Sequence, residues 1–305
     1  MMPAPPMPST PPEPRSSYLT GLIGAGIGPS LSPALHEREA DRHGLRLLYR
    51  TIDIDELGVG PEAVGQLLRA ARALGFDGLN ITHPCKQLVI EHLDEVEPAA
   101  AALGAVNTVV LRDGRTIGHN TDATGFARSF ARGLPGVAIR HVVQLGAGGA
   151  GAAVAHALLT LGVDRLSLAD TDPVRATALS DALNSRFGAG RASAVAMERL
   201  AARLADADGL VHATPTGMAG HPGLPLPAGL LRPGLWVAEV VYRPLDTELL
   251  RLAREIGCPT LDGGAMAVFQ AADAFRLFTG REPHTERMLA DLADLVGAPA
   301  AQRTA

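Results

Sequence analysis

The sequence predicts an α/β fold of two units, the second inserted into the first. Three observations predict it. Short apolar runs alternate with Ala- and Leu-rich stretches from Tyr18 almost to the end, the pattern of strands alternating with helices. The run His141–Leu145 leads into Gly146-Ala-Gly-Gly-Ala-Gly151 and then an Ala-rich stretch, so strand, glycine turn and helix follow one another. The last of these helical segments, Met266–Thr279, has no strand after it. It is therefore expected to fold back onto the first unit.

Each element is read in order. Tyr18–Ile23 is a strand, followed by a glycine-rich turn and a helix from Pro33 to about His43. A strand over Leu47–Ile54 and a helix from about Pro61 to Leu74 come next, then a short strand, Gly78–Ile81. Cys85–Leu93 reads as a helix. Ala105–Leu111 and Arg115–Gly118 flank Asp113-Gly114, a dipeptide that favours the tight turn of a β-hairpin. In the second unit the helix after Gly151 runs to about Leu161, and strands are expected at Arg165–Asp170, Gly209–Ala213 and Trp236–Val241. The expected division is 18–122 plus 264–299 for one domain and 123–263 for the other. Residues 1–17 are proline-rich with no apolar stretch, which reads as a disordered extension and not as a secretory signal.

Bulk properties narrow the function. A chain of 305 residues, 47% apolar, can bury a large core. Charged residues make up 19% and the net charge is −5, so there is no general attraction for nucleic acid or an anionic membrane. No apolar run approaches the roughly 20 residues that span a bilayer. Cys85 and Cys258 lie far apart and in no metal-ligand spacing; reduced thiols, a cytoplasmic location and no metal are expected. The expected partner is a small molecule, bound by a monomer or homodimer.

The glycine turn points to a dinucleotide site of Rossmann type. Gly146 permits the tight turn, Gly148 lets a pyrophosphate approach the backbone, and Gly151 lets helix and sheet pack closely. With Ala147, Gly149 and Ala150 they precede a helix whose first amides and positive dipole end face the phosphates. Asp170 ends the next strand about 20 residues on, where a carboxylate accepts from the adenosine ribose hydroxyls. Asp172 adds a second negative charge, and no Arg or Lys stands between them in sequence. That pattern favours NAD over NADP, although Asp172 before Pro173 also suits a helix N-cap. Gly24-Ala-Gly-Ile-Gly28-Pro29 also follows a strand. Pro29 replaces its third glycine and no acid is expected to end the next strand at the right distance, so it reads as a flexible turn bringing the following serines to a ligand.

Five further motifs stand in order: Ser30-Leu-Ser32-Pro33, Asn80-Ile-Thr82-His-Pro84-Cys-Lys86, Gly104-Ala-Val-Asn107-Thr108, Asn120-Thr-Asp122 and Gly263-x-x-Met266-x-x-x-Gln270. Together they resemble the shikimate dehydrogenase family, from about Tyr18 to about Thr279. The resemblance implies a substrate-binding domain into which the Rossmann-type domain is inserted, and NAD-linked oxidation of quinate or shikimate. His83-Pro-Cys-Lys-Gln resembles the quinate-using subgroup. The resemblance also implies that Ser30, Ser32 and Thr82 hold the substrate carboxylate, and that Asn80, Asn107 and Gln270 hold ring hydroxyls. Tyr242 matches a tyrosine pointing at that carboxylate, and Thr214-Pro-Thr-Gly217-Met218 matches a loop beside the nicotinamide. Gly263 is counted with the cofactor-binding residues. Glu239 stands where the family usually has Asp, and no role is assigned to it.

The chemistry supports the same residues. Oxidising a secondary alcohol with a nicotinamide requires a base for the hydroxyl proton. Lys86 is the candidate, since the first turn of a helix disfavours an ammonium and so favours the neutral amine. Asp122 would hydrogen-bond the same hydroxyl and orient the lysine. A solvated surface lysine is the bland alternative, and the neighbouring Asn80-x-Thr82 speaks against it. Ser32 before Pro33 equally suits an N-cap. Two other functions compete: an NADP-dependent shikimate dehydrogenase, which would want a basic residue after the second strand, and a non-catalytic quinate or shikimate sensor, which would be expected to lose Lys86 or Asp122.

Overall fold

The computed structural model describes residues 16–297. Most of the expected extension, residues 1–15, lies outside the described residues, and Ser17 already opens the first strand. The first unit runs β1 (Ser17–Gly24), α1 (Ser32–Arg42), β2 (Arg46–Asp53), α2 (Val64–Ala73), β3 (Gly78–Ile81), β4 (Glu95–Val96), α3 (Pro98–Leu103), β5 (Thr108–Arg112) and β6 (Arg115–His119). Its sheet has the order β2-β1-β3-β5-β6-β4. The pairing is mixed, because β5 runs antiparallel to both β3 and β6. Asp113 and Gly114 both take positive φ, 52° and 72°, as a two-residue hairpin turn demands. The edge strand β2 buries Leu47 and Tyr49 and turns Arg46, Leu48 and Arg50 outward, the two-residue period of a strand with one wet face.

α4 (Asp122–Gly133) leads to the second unit: β7 (His141–Leu145), α5 (Gly149–Thr160), β8 (Arg165–Ala169), α6 (Pro173–Phe187), β9 (Ala192–Ala194), α7 (Leu200–Ala205), β10 (Gly209–His212), β11 (Trp236–Glu239), α8 (Glu248–Ile256) and β12 (Thr260–Leu261). This sheet, ordered β12-β11-β10-β7-β8-β9, is parallel throughout. β7, β10 and β11 are buried along their whole length, which is why they read as continuous apolar runs. The strand order reverses between β7 and β10. Ligands of doubly wound sheets bind at such a switch point, beyond the carboxyl ends of the strands.

α9 (Gly264–Thr279) and α10 (Thr285–Gly297) complete the chain's described part. α9 returns to the first unit, as a helix with no following strand suggested. Val268 and Ala272 pack with Leu31, Leu35, Met288 and Leu292, while Phe275 joins Leu22, Leu47 and Tyr49. Gly78 has no Cβ because the Phe278 ring takes that space.

One expected helix is absent. Cys85–Leu93 forms a turn followed by a single 3-10 segment, Leu88–His92. The Lys86 carbonyl accepts from Val106 N at 2.9 Å, and that long-range bond takes it out of a helical ladder. Lys86 is therefore at no helix N-terminus, and the dipole argument for its neutral form falls.

Candidate active site

Lys86 and Asp122 meet at the junction of the two units. Lys86 Nζ lies 2.5 Å from Asp122 Oδ2, and both side chains are largely buried, 14% and 8% exposed. A pair this short and this shielded interacts far more strongly than a surface ion pair. What orients Lys86 is thus a carboxylate, not a helix terminus. Asp122 sits in the first turn of α4. Gly149 presses close on the other side: a Cβ there would stand 3.4 Å from Lys86 Cδ. The lysine of the first unit therefore borders the glycine turn of the second.

The carboxylate is held by a buried chain of polar side chains. Asn107 Nδ2 donates to Asp122 Oδ1 and to Thr121 Oγ1, both at 2.9 Å. Thr108 Oγ1 donates to Asn107 Oδ1 at 3.1 Å and accepts from Asn80 Nδ2 at 3.1 Å. Tyr49 donates its hydroxyl to Asn80 Oδ1 at 2.8 Å. Both amide hydrogens of each asparagine are committed within the protein. These bonds link side chains of β2, β3 and β5 to the start of α4, and satisfied buried networks of this kind specify one geometry. Tyr49 escaped the sequence reading, and Thr108 and Thr121 stood inside its motifs without a role. Tyr49 lies on a neighbouring strand, where no motif marks it.

The serines form a second group. Ser30 Oγ accepts from Ser32 N at 3.2 Å. Ser32 is the first helical residue of α1, whose N-cap is Leu31 with no side-chain cap bond, so the expected capping role is not realised. Ser32 hydrogen-bonds Tyr49, and burial holds that phenol well above its ordinary pKa. Ser30 bonds Tyr242, whose phenol burial also pushes up, with the Ser30 bond and Arg243 pulling the other way. Arg243 Nη1 donates to Pro29 O, tying the Tyr242 segment to the serine turn. Gln270 Nε2 donates to Ala267 O at 2.9 Å from the middle of α9. A hollow of about 490 Å³ bordered by Leu31, Gly217, Met218, Tyr242 and Arg243 opens beside this cluster. A larger one, about 910 Å³, lies at the amino ends of β1, β2 and β3 and contains none of the site residues.

The turn preceding the serines is held by a carboxylate. Asp53 does end β2, and its carboxylate accepts from Gly26 N at 3.0 Å and Ile27 N at 2.7 Å. The strand thus does end in an acid, one that holds the turn.

At the switch point the second glycine turn has its fingerprint geometry. Gly146 takes φ of 100°, open to glycine alone without strain. A Cβ on Gly151 would strike Gly146 O, whereas a Cβ on Gly148 would meet nothing within 4 Å. A phosphate fits in that open space, against the first amides of α5. Gln144, wholly buried, clips the turn by donating to Gly146 O and Gly151 O, both at 2.8 Å. Asp170 accepts from Ala147 N at 2.7 Å and Asp172 N at 2.9 Å, leaving lone pairs for further donors. Asp172 is the N-cap of α6, accepting from Val174 N and Arg175 N. Arg175 is the basic residue that sequence order concealed: it comes within 3.8 Å of Asp170 and 3.6 Å of Asp172. Thr214 borders the turn, its Cγ2 3.0 Å from where a Gly146 Cβ would stand, and Gly263 lies against the Val240 and Val241 carbonyls.

Residues 22–109 match the family model for the shikimate dehydrogenase substrate binding domain. A shikimate dehydrogenase (NADP(+)) of Streptomyces avermitilis is 73% identical, over 94% of this chain and 98% of its own. This chain belongs to the shikimate dehydrogenase family. A quinate/shikimate dehydrogenase (NAD(+)) of Corynebacterium efficiens is 52% identical over 92% of this chain and 99% of its own. The solved structure of quinate dehydrogenase from Corynebacterium glutamicum in complex with NAD matches with a TM-score of 0.85 at 49% identity, covering 91% of this chain and 99% of that one. As a shikimate dehydrogenase by family, the chain is an oxidoreductase with a Rossmann-type domain for a nicotinamide dinucleotide.

Within this family fold, Glu239 has work that the sequence did not reveal. It is 2% exposed at the end of β11. Its oxygens lie 2.9 and 3.0 Å from His212 Nδ1, and Oε1 also accepts from Val241 N at 3.0 Å. Thr247 Oγ1 approaches Oε2 at 3.3 Å. His212, another residue the sequence reading passed over, reaches Thr214 Oγ1 with Nε2 at 2.5 Å.

Proposed function

We propose that this shikimate dehydrogenase-family enzyme reversibly oxidises quinate and shikimate to their 3-dehydro ketones with NAD. The observation that carries the chemistry is the shielded Lys86–Asp122 pair set against Gly149 of the glycine turn. The dinucleotide, when bound, supplies the hydride acceptor. Lys86 Nζ takes the proton from the substrate hydroxyl, and in the reverse direction returns it. Asp122 Oδ2 holds the amine in place, while Asn107 keeps the carboxylate from rotating by binding Oδ1. Ser30, Ser32, Thr82 and Tyr242 receive the substrate carboxylate. Gln270, with Asn80 and Asn107 behind it, borders the ring hydroxyls. Residues 18–122 and 264–299 serve the acid, and 123–263 the dinucleotide through Gly146 to Gly151, Asp170, Thr214 and Gly263.

The choice of NAD rests on charge. Asp170 and Asp172 together outweigh Arg175, which they already flank, so the pocket edge stays net negative where a 2′-phosphate would sit. Arg175 favours the other reading, NADP, and so does the name of the Streptomyces avermitilis relative. Steady-state kinetics with each acid and each cofactor decide between them. Higher kcat/KM with NAD is expected, and equal or better turnover with NADP overturns the cofactor assignment. Hydroxyl-rich surroundings at the carboxylate end offer a partner to the extra hydroxyl of quinate. No turnover of quinate where shikimate reacts would confine the enzyme to shikimate.

A further inference from the structure

The side chains ending β10 and β11 form a relay that stops at the cofactor loop. His212 and Glu239 are register partners on adjacent parallel strands, 0% and 2% exposed. A carboxylate only accepts hydrogen bonds, so the His212 nitrogen facing it, Nδ1, carries a hydrogen. Val241 N and Thr247 Oγ1 complete the set of donors around Glu239. A neutral imidazole protonated at Nδ1 offers a lone pair at Nε2. The Thr214 hydroxyl, 2.5 Å away, must then donate into Nε2. Thr214 Oγ1 also accepts from Thr216 N at 3.3 Å, which leaves one lone pair and no hydrogen to offer elsewhere. The loop therefore presents an acceptor, in fixed polarity, beside Gly146.

We propose that His212 and Glu239 are a positioning pair that locks the Thr214 hydroxyl as an acceptor for an N–H donor of the dinucleotide, such as a carboxamide. The pair touches neither substrate nor cofactor and acts through Thr214. This inference rests on the dinucleotide reading of the switch point.

A double-mutant cycle on NADH affinity, read by fluorescence titration, tests it. Thr214→Val and Glu239→Leu, which leaves His212 Nδ1 no acceptor, each weaken NADH binding roughly 5- to 20-fold, the worth of one hydrogen bond. The double variant is no weaker than the worse single one, because both changes remove the same bond. The KM for the acid stays near the wild-type value. Multiplicative losses, or a matching rise in the acid KM, overturn the proposal. Nitrogen NMR of the His212 ring in the unaltered protein gives a readout independent of folding defects in the variants. A hydrogen on Nδ1 and a bare Nε2 are expected, and a doubly protonated ring overturns the assigned polarity. Wild-type protein that binds no NADH would instead overturn the dinucleotide reading itself, and this inference with it.

Discussion

Deleting the Lys86 amine removes the proton acceptor and leaves the surrounding polar chain in place. Lys86→Ala should lower kcat by roughly 10²- to 10⁴-fold while the acid still binds, the usual cost of losing general acid–base help. A variant with near-normal kcat would move the base elsewhere. Asp170→Ala with Thr171→Arg should shift kcat/KM towards NADP by relieving like-charge repulsion; an unchanged cofactor ratio would detach Asp170 from specificity. His36 carries a pH prediction. It is fully buried, its Nε2 has no partner, and burial pushes its pKa down to about 4, with the Ser32 carbonyl bond opposing. The unfolded chain binds this proton below about pH 6.5, the folded chain only below about 4. Stability from His36 is thus present above about pH 6.5 and is lost as pH falls to about 4, roughly 3 kcal/mol at most. His36→Phe should flatten that part of the denaturation profile relative to wild type; an identical slope would sink the assignment. The motif residues were legible because each has a distinctive neighbour. The roles of Tyr49, Thr108, His212 and Arg175 were not, since they arise from pairings across 27 residues or more, or from a turn that folds sequence order back on itself.

Among the elements, the crossing of α4 and α9 shows how a single residue sets geometry. A Cβ on Gly125 would stand 2.9 Å from Gln270 N and 3.0 Å from Met266 O, both backbone atoms that cannot swing aside. In an isolated helix Gly125→Ala would gain about 1 kcal/mol from propensity. Here overpacking of about 1–3 kcal/mol opposes it. The expected outcome is a net loss in urea denaturation, with reduced kcat because α4 carries Asp122 and α9 carries Gln270. A stabilised variant would show that the helices separate freely. The strands of the second sheet were readable as buried apolar runs, and the Asp113-Gly114 hairpin from its turn. The two- and three-residue strands β4, β9 and β12 are too short to show a period, and α10 lies past the last motif. The mistaken helix at Cys85–Leu93 had helical composition, but a tertiary bond to Val106 took its carbonyl.

Across the whole molecule, the candidate site draws on both units. Lys86 and Asp122 stand on one side, Gly149 and Thr214 on the other, and Arg243 reaches across to Pro29. Among the described residues no helix is long and apolar enough to cross a membrane. Each unit also begins alike, with a strand, a glycine turn and an acid at the end of the next strand. Asp53 and Asp170 both grip the turn beside them. Beyond the turn they part. In the first unit Asp53 occupies two successive amides, Ser32 N is taken by Ser30, and Pro33 has no N–H to give. Those amides are committed within the protein and are not offered to a phosphate. In the second, α5 begins directly at Gly149 and the space over Gly148 is open. The doorway is duplicated but only one door opens, so titration calorimetry should count one dinucleotide per chain, and a second site of any measurable strength would mean that the Asp53 latch can be released.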